Sequence, residues 1–142
     1  MRLFLDANVL FSAAYSPAGR AVALFRLSEI GRCTLIASPH VIEEATRNVA
    51  IKVPDKAPEL ARFLTACERA QEAPSNVVSW AAAKGLPEND APVLAAAASC
   101  GADMLVTGDR THFGHLFDRR AGDVLVCPLR DALARMLEDD GS

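Results

Sequence analysis

Four short apolar runs constrain this chain most: Leu3-Phe4-Leu5, Leu35-Ile36-Ala37, Met104-Leu105-Val106 and Val124-Leu125-Val126-Cys127. None of them alternates with polar residues, so each reads as a strand buried on both faces. Between them the apolar residues change to helical spacing, as in Val41, Ile42, Ala45 and Val49, or Leu60, Phe63, Leu64 and Cys67. Strands that alternate with helices join in parallel, because each crossover lays a helix on a face of the sheet. The pattern predicts an α/β fold: a three-layer α/β/α open sandwich around a mainly parallel sheet of about five short strands.

Capping and breaking residues set the expected limits. A first strand over residues 2–5 stops at Asp6 and gives way to a loop that runs to Ser16-Pro17. Ser16 caps a helix over residues 17–30 that Gly31 ends. After a strand at 33–37, Ser38-Pro39 starts a second helix that ends near Pro54. A third helix reaches Glu72, and Asn76-Val77-Val78-Ser79 reads as a short strand. Gly85-Leu86-Pro87 breaks the chain before an alanine-rich helix over 90–100, which leads into a strand over 103–106. The run at 124–127 is the last strand, and a helix over 131–137 closes the chain.

Composition narrows the class of protein. A chain of 142 residues, 51% hydrophobic and 23% charged, is built like an ordinary globular protein and not like a disordered or fibrous one, so one domain over 1–142 is expected. No apolar run approaches the roughly 18 residues of a membrane span, and Leu3-Phe4-Leu5 is too short for a signal-peptide core. Cys33, Cys67, Cys100 and Cys127 lie far apart, which excludes a zinc ribbon or a redox CxxC pair and fits reduced thiols. A soluble cytoplasmic protein is the expectation.

In an open parallel sheet the functional crevice lies outside the carboxyl ends of the strands. Asp6 directly follows the first strand, Asp109 follows Val106 by three residues, and Asp90 opens the helix that leads into that strand. Singly, each acid has a structural explanation as a turn former or a helix cap. Their coincidence at one end of one sheet points to a shared mouth. A fourth acid comes from the second helix, where Glu44 lies beside Val41, Asn48 and Ile51 at the edge of the apolar face, while Glu43 points towards Arg47 one turn on. Geometry favours Glu44.

Asp90 precedes Val93, Leu94 and Ala97 by three, four and seven positions, so its carboxylate starts the buried stripe. A core-side acid needs a partner, and no Arg or Lys lies between Gly85 and Asp109. A divalent cation shared by several carboxylates answers that need, and oxygen ligands suit Mg²⁺ or Mn²⁺. His112 and His115 are spaced like half a metal site, but without a second pair they are assigned to the surface or a loop. Ions of this kind serve phosphoryl transfer, turning a bound water into hydroxide. A phosphatase with an aspartate nucleophile fits poorly, because Asn8 cannot transfer a proton where such an enzyme has its second acid.

Leu5-Asp6-Ala7-Asn8-Val9-Leu10, Ser38-Pro39-His40-Val41-Ile42-Glu43-Glu44, the segment from Asn89-Asp90 to Ala97, and Leu105-Val106-Thr107-Gly108-Asp109 together resemble the PIN-domain family over nearly the whole chain. The resemblance implies a metal-dependent ribonuclease fold. Many bacterial members are toxins of toxin–antitoxin pairs, the VapC type being best known, so it also implies an RNA substrate and a small antitoxin protein as partner. On that pattern Asp6, Glu44, Asp90 and Asp109 match the acidic quartet that holds Mg²⁺ or Mn²⁺, Thr107 the small hydroxyl residue before the last acid, and Asn8 the polar residue after the first. Thr111-His112-Phe113 departs from the acid sometimes found there.

The formal charge of −3 becomes +1 once the four candidate ligands are set aside. Arg20, Arg47, Lys52, Arg110, Arg119 and Arg120 fall near loops that can line a mouth and hold phosphates. With 6% aromatics and a single Trp80 there is no stacking platform to name an RNA target. A stand-alone processing nuclease and a non-catalytic binding module of the same fold remain alternatives, and the oligomeric state is open, a homodimer included.

Overall fold

The computed structural model describes residues 1–140, the last two in backbone only. Strand β1 (Arg2–Leu5) takes a central place, with β2 (Thr34–Ala37) on one side and β4 (Met104–Val106) on the other, both parallel to it. A two-residue strand β3 (Glu68–Arg69) extends the sheet beside β2, and β6 (Val124–Cys127) extends it beside β4. The remaining edge is β5 (Arg119–Ala121), antiparallel to β6. The order is β3-β2-β1-β4-β6-β5, six strands in place of about five.

Leu3, Phe4 and Leu5 are all fully buried, although successive strand residues point to opposite faces. Both faces are therefore covered, as the uninterrupted apolar runs require. Helices supply the cover; the described residues form eight α-helices: α1 (Ala7–Tyr15), α2 (Arg20–Glu29), α3 (Pro39–Lys52), α4 (Ala57–Thr65), α5 (Ser75–Ala82), α6 (Ala91–Ser99), α7 (Arg110–Phe113) and α8 (Leu129–Asp140). From β1 the chain steps outward to β2 and β3, then returns across β1 to β4. The carboxyl ends of β1 and β4 flank that reversal, which is where an open sheet leaves a crevice.

Several elements differ from expectation for local reasons. The segment after β1 is α1 and not a loop: Val9, Leu10, Ala13 and Ala14 form a buried helical stripe, and the Asp6 carboxylate caps its start. Ser16 ends α1 and does not cap α2, which begins after Gly19. The third helix stops at Thr65, and Glu68 and Arg69 pair with Ile36 and Ala37, held by a two-pronged Arg2–Glu68 contact at 2.7 and 3.3 Å. Residues 76–79 belong to α5 and not to a strand. Val77 and Val78 are β-branched, but with Ala81 they line the side of α5 that packs into the core, where the helix meets α6. The hairpin that holds β5 turns at Gly122, at φ +61°, and followed no apolar run.

All four cysteines are unpaired, and burial pushes the Cys67 and Cys127 thiols up to about 11 and about 12, which leaves them unreactive at neutral pH. Among the described residues no helix is long and apolar enough to cross a membrane.

The alanine-rich α6 ends in a glycine cap. Ala102 N–H donates to Ala97 O at 3.1 Å and Gly101 N–H to Ala98 O at 3.3 Å, with Gly101 at φ +73°. A Cβ added there meets nothing within 4 Å, so the cost of Gly101→Ala is purely conformational. Urea unfolding should show Gly101→Ala about 1 kcal/mol less stable than wild type; equal stability would mean that the cap tolerates a side chain.

Candidate functional site

Asp6 is the most deeply placed of the acids, with 4% of its surface exposed. β1 delivers it to the carboxyl edge of the sheet, where its N–H still donates to Val106 O at 3.0 Å. Its Oδ1 accepts from Ala7 N–H at 2.8 Å, and its Oδ2 accepts from the Thr107 hydroxyl at 2.8 Å and from Asn8 Nδ2 at 3.2 Å. Thr107, fully buried at the end of β4, also accepts at Oγ1 from Asn8 Nδ2 and from Asp109 N–H, each at 3.2 Å. Asn8 Oδ1 completes the set by accepting from Gly108 N–H at 2.8 Å. Asn8 and Thr107 thus fix Asp6 and carry the chain on to Asp109.

Asp109 caps the short α7: its Oδ1 accepts from His112 N–H at 3.1 Å, and its Oδ2 lies 2.8 Å from His112 Nδ1. The same ring nitrogen is 3.0 Å from Asp90 Oδ2. Asp90 makes no capping hydrogen bond with its side chain at the start of α6, so a capping role does not account for this acid. Its partner is His112, which is exposed as expected of a surface residue but turns Nδ1 towards both acids. The signal was available in the Asp-x-x-His spacing from Asp109, since residues three apart on a helix are neighbours. A second histidine, His40 at the start of α3, brings Nε2 to 2.9 Å from Asn89 O and steadies the residue before Asp90.

Glu44 is half-buried on α3, while Glu43 is exposed and pairs with Arg47 at 3.3 Å, as the helical geometry predicted. Burial pushes the Asp6 carboxyl up to about 6; the Thr107 and Ala7 hydrogen bonds oppose that rise, and the charges of Glu44 and Asp90 add to it. Burial likewise raises Asp90, with His112 and His40 opposing and Asp109 and Glu44 adding. Asp6 therefore feels the charges of Glu44 and Asp90, and Asp90 those of Asp109 and Glu44. Asp90, Asp109 and His112 each offer a ligand atom within 4.8 Å of the others, and this mix of carboxylate oxygens with one imidazole suits a divalent transition ion.

The candidate phosphate contacts are dispersed. Arg47 is engaged by Glu43, Arg110 lies next to Asp109 with its guanidinium 5.9 Å from the Phe117 ring centre, and Arg20 opens α2 with an exposed side chain. Lys52 sits 5.5 Å from the Phe11 ring centre, and Arg119 and Arg120 belong to the edge strand β5.

The PIN domain family model matches residues 2–111, a span that holds the whole acidic cluster. The chain belongs to the PIN-domain family. No curated protein matches it closely enough to be counted as a relative. Solved structures share the PIN fold. PAE2754 from Pyrobaculum aerophilum is 19% identical with a TM-score of 0.68, covering 97% of this chain and 96% of that one. VapBC2 from Rickettsia felis, bound to a DNA fragment from its promoter, is 17% identical with a TM-score of 0.65 over 90% of this chain and 98% of that one. VapC20 from Mycobacterium tuberculosis, a sarcin–ricin loop cleaving toxin, is 15% identical with a TM-score of 0.56 over 77% and 91%. At these identities the likeness establishes the PIN fold alone.

The raised Asp6 carboxyl gives a pH signature without any substrate. In the folded chain Asp6 keeps its proton up to about pH 6, against 3.8 as the ordinary value, so between those limits the folded state binds more protons than the unfolded one. This contribution to stability therefore falls as pH rises from about 4 to about 6 and is level above that. In metal-free buffer the wild-type chain should melt higher at pH 5 than at pH 7.5, and Asp6→Asn should narrow that difference. The same difference in both proteins would show that Asp6 titrates normally.

Proposed function

We propose that this chain is a ribonuclease that hydrolyses RNA phosphodiester bonds with Mg²⁺ or Mn²⁺, and that it is the toxin of a toxin–antitoxin pair held in check by a small antitoxin protein. What supports the reading is the close group of Asp90, Asp109 and His112 at the carboxyl edge of a PIN-domain sheet, with Asp6 buried nearby in charge interaction with Asp90 and Glu44. Carboxylates crowded out of water at such a cost call for a compensating cation. The toxin part of the reading draws support from fold relatives such as VapC20 and VapBC2. The reduced thiols suit work in the cytoplasm.

In this reading Asp6, Glu44, Asp90 and Asp109 hold the ion, and Asn8 and Thr107 position Asp6. When bound, a divalent ion supplies Lewis-acid activation of water for attack on phosphorus. Arg110, beside Asp109, contacts a phosphate of the substrate, with Arg20 and Arg47 further along its path. No side chain of the chain is needed as a nucleophile.

Cleavage of single-stranded RNA in Mg²⁺ or Mn²⁺ tests this. Asp6→Asn, Asp90→Asn and Asp109→Asn should each abolish cleavage while the far-ultraviolet circular dichroism stays that of wild type. Glu44→Gln should lose about tenfold or more, and Glu43→Gln little. Wild-type cleavage by Asp6→Asn overturns the site assignment, whereas a wild-type chain that cleaves no RNA with either ion favours the non-catalytic binding module; equal losses at Glu43 and Glu44 mean that both acids bind metal. Copurification of a small, tightly bound protein would support the toxin reading, and its absence the stand-alone nuclease.

A further inference from the structure

His112 is the one member of the cluster that is not an acid, and its place is set by two elements that are distant in sequence. Asp109 fixes it from within α7, where one carboxylate oxygen takes the His112 N–H at 3.1 Å and the other faces Nδ1 at 2.8 Å. Asp90, from the start of α6, reaches the same Nδ1 at 3.0 Å. A helix cap explains the first contact and leaves the second unexplained. A single ring nitrogen carries at most one proton, so it cannot give two carboxylates a straight hydrogen bond each. A cation bound to all three atoms satisfies them together.

The separations fit that arrangement. An octahedral ion with bonds of about 2.1 Å spaces its adjacent ligands about 3 Å apart, and the two separations from Nδ1 are 2.8 and 3.0 Å. The chemistry then bears on which ion is taken. Mg²⁺ is small and hard, takes oxygen ligands and gives up its waters reluctantly, whereas Mn²⁺, a larger and softer ion that also favours oxygen, accepts an imidazole nitrogen beside carboxylates more readily than Mg²⁺ does.

We infer that His112, through Nδ1, is a metal ligand beside Asp90 and Asp109, and that it gives this site a preference for Mn²⁺ over Mg²⁺. The inference rests on the metal-dependent reading above and refines it by naming the ion.

The test uses the full chain, stripped of metal and titrated at fixed pH with MnCl₂ or MgCl₂ alone. Pulsed electron paramagnetic resonance of Mn²⁺ bound to wild type should show modulation from a directly bound ¹⁴N, and His112→Asn should lose it. By calorimetry, His112→Asp, which makes the set all oxygen, should lower the ratio of Mn²⁺ to Mg²⁺ affinity by about tenfold or more. Mn²⁺ bound to wild type without nitrogen modulation overturns the ligand assignment while leaving the nuclease reading standing. Nitrogen modulation with an unchanged affinity ratio in His112→Asp overturns the preference. A wild-type chain that binds neither ion overturns this inference and the metal-dependent reading together. The spectroscopic result on wild type needs no variant to fold.

Discussion

The hydrogen bond from the Thr107 hydroxyl to Asp6 Oδ2, 2.8 Å long and buried, joins the ends of β1 and β4 where the sheet reverses direction. An ionised carboxylate in such a place is costly unless hydrogen bonds satisfy it, and bonds to a charged acceptor are stronger than neutral ones. Thr107, Asn8 and the Ala7 N–H supply three donors to Asp6, and Asn8 also ties down Gly108. The same few atoms therefore start α1, align two central strands and set the direction in which the chain leaves β4 for Asp109. The rest of the acidic cluster is arranged around a group that cannot move without disrupting the sheet.

The four central strands and the carboxyl edge that carries the acids were legible because they depend on properties that a sequence states directly. Uninterrupted apolar runs mark strands covered on both faces, and residues just past them fall at the crevice of a parallel sheet. The half-buried place of Glu44 and the exposed pairing of Glu43 with Arg47 were legible for a similar reason, since helical rotation alone separates the two. What escaped depends on contacts between distant segments. Val77 and Val78 have a strand former's chemistry and become helical through packing against α6, and Glu68 and Arg69 become a strand through pairing with β2 and an ion pair to Arg2.

His112 shows the same limit in the site itself. Its relation to Asp109 lies within one turn and can be read from spacing, but Asp90 is brought to it by the fold. His40 and His115 behave alike: one reaches Asn89 O and the other Lys84 O at 2.8 Å, so the connection between α5 and α6 is tied near both of its ends by side chains from other elements. Asp90 is thereby held on a braced segment, which lowers the conformational freedom it has left to lose.

The two margins of the sheet carry a consequence of a different kind. One is a two-residue strand of Glu68 and Arg69, the other begins with Arg119 and Arg120, and all four side chains are exposed. An open margin with unpaired backbone groups is a template for another chain, and brevity and charge are what discourage such growth. The apolar strands between these margins would otherwise be prone to stack into fibrils. Addition of a further strand at either margin is therefore disfavoured by brevity at one and by charge at both.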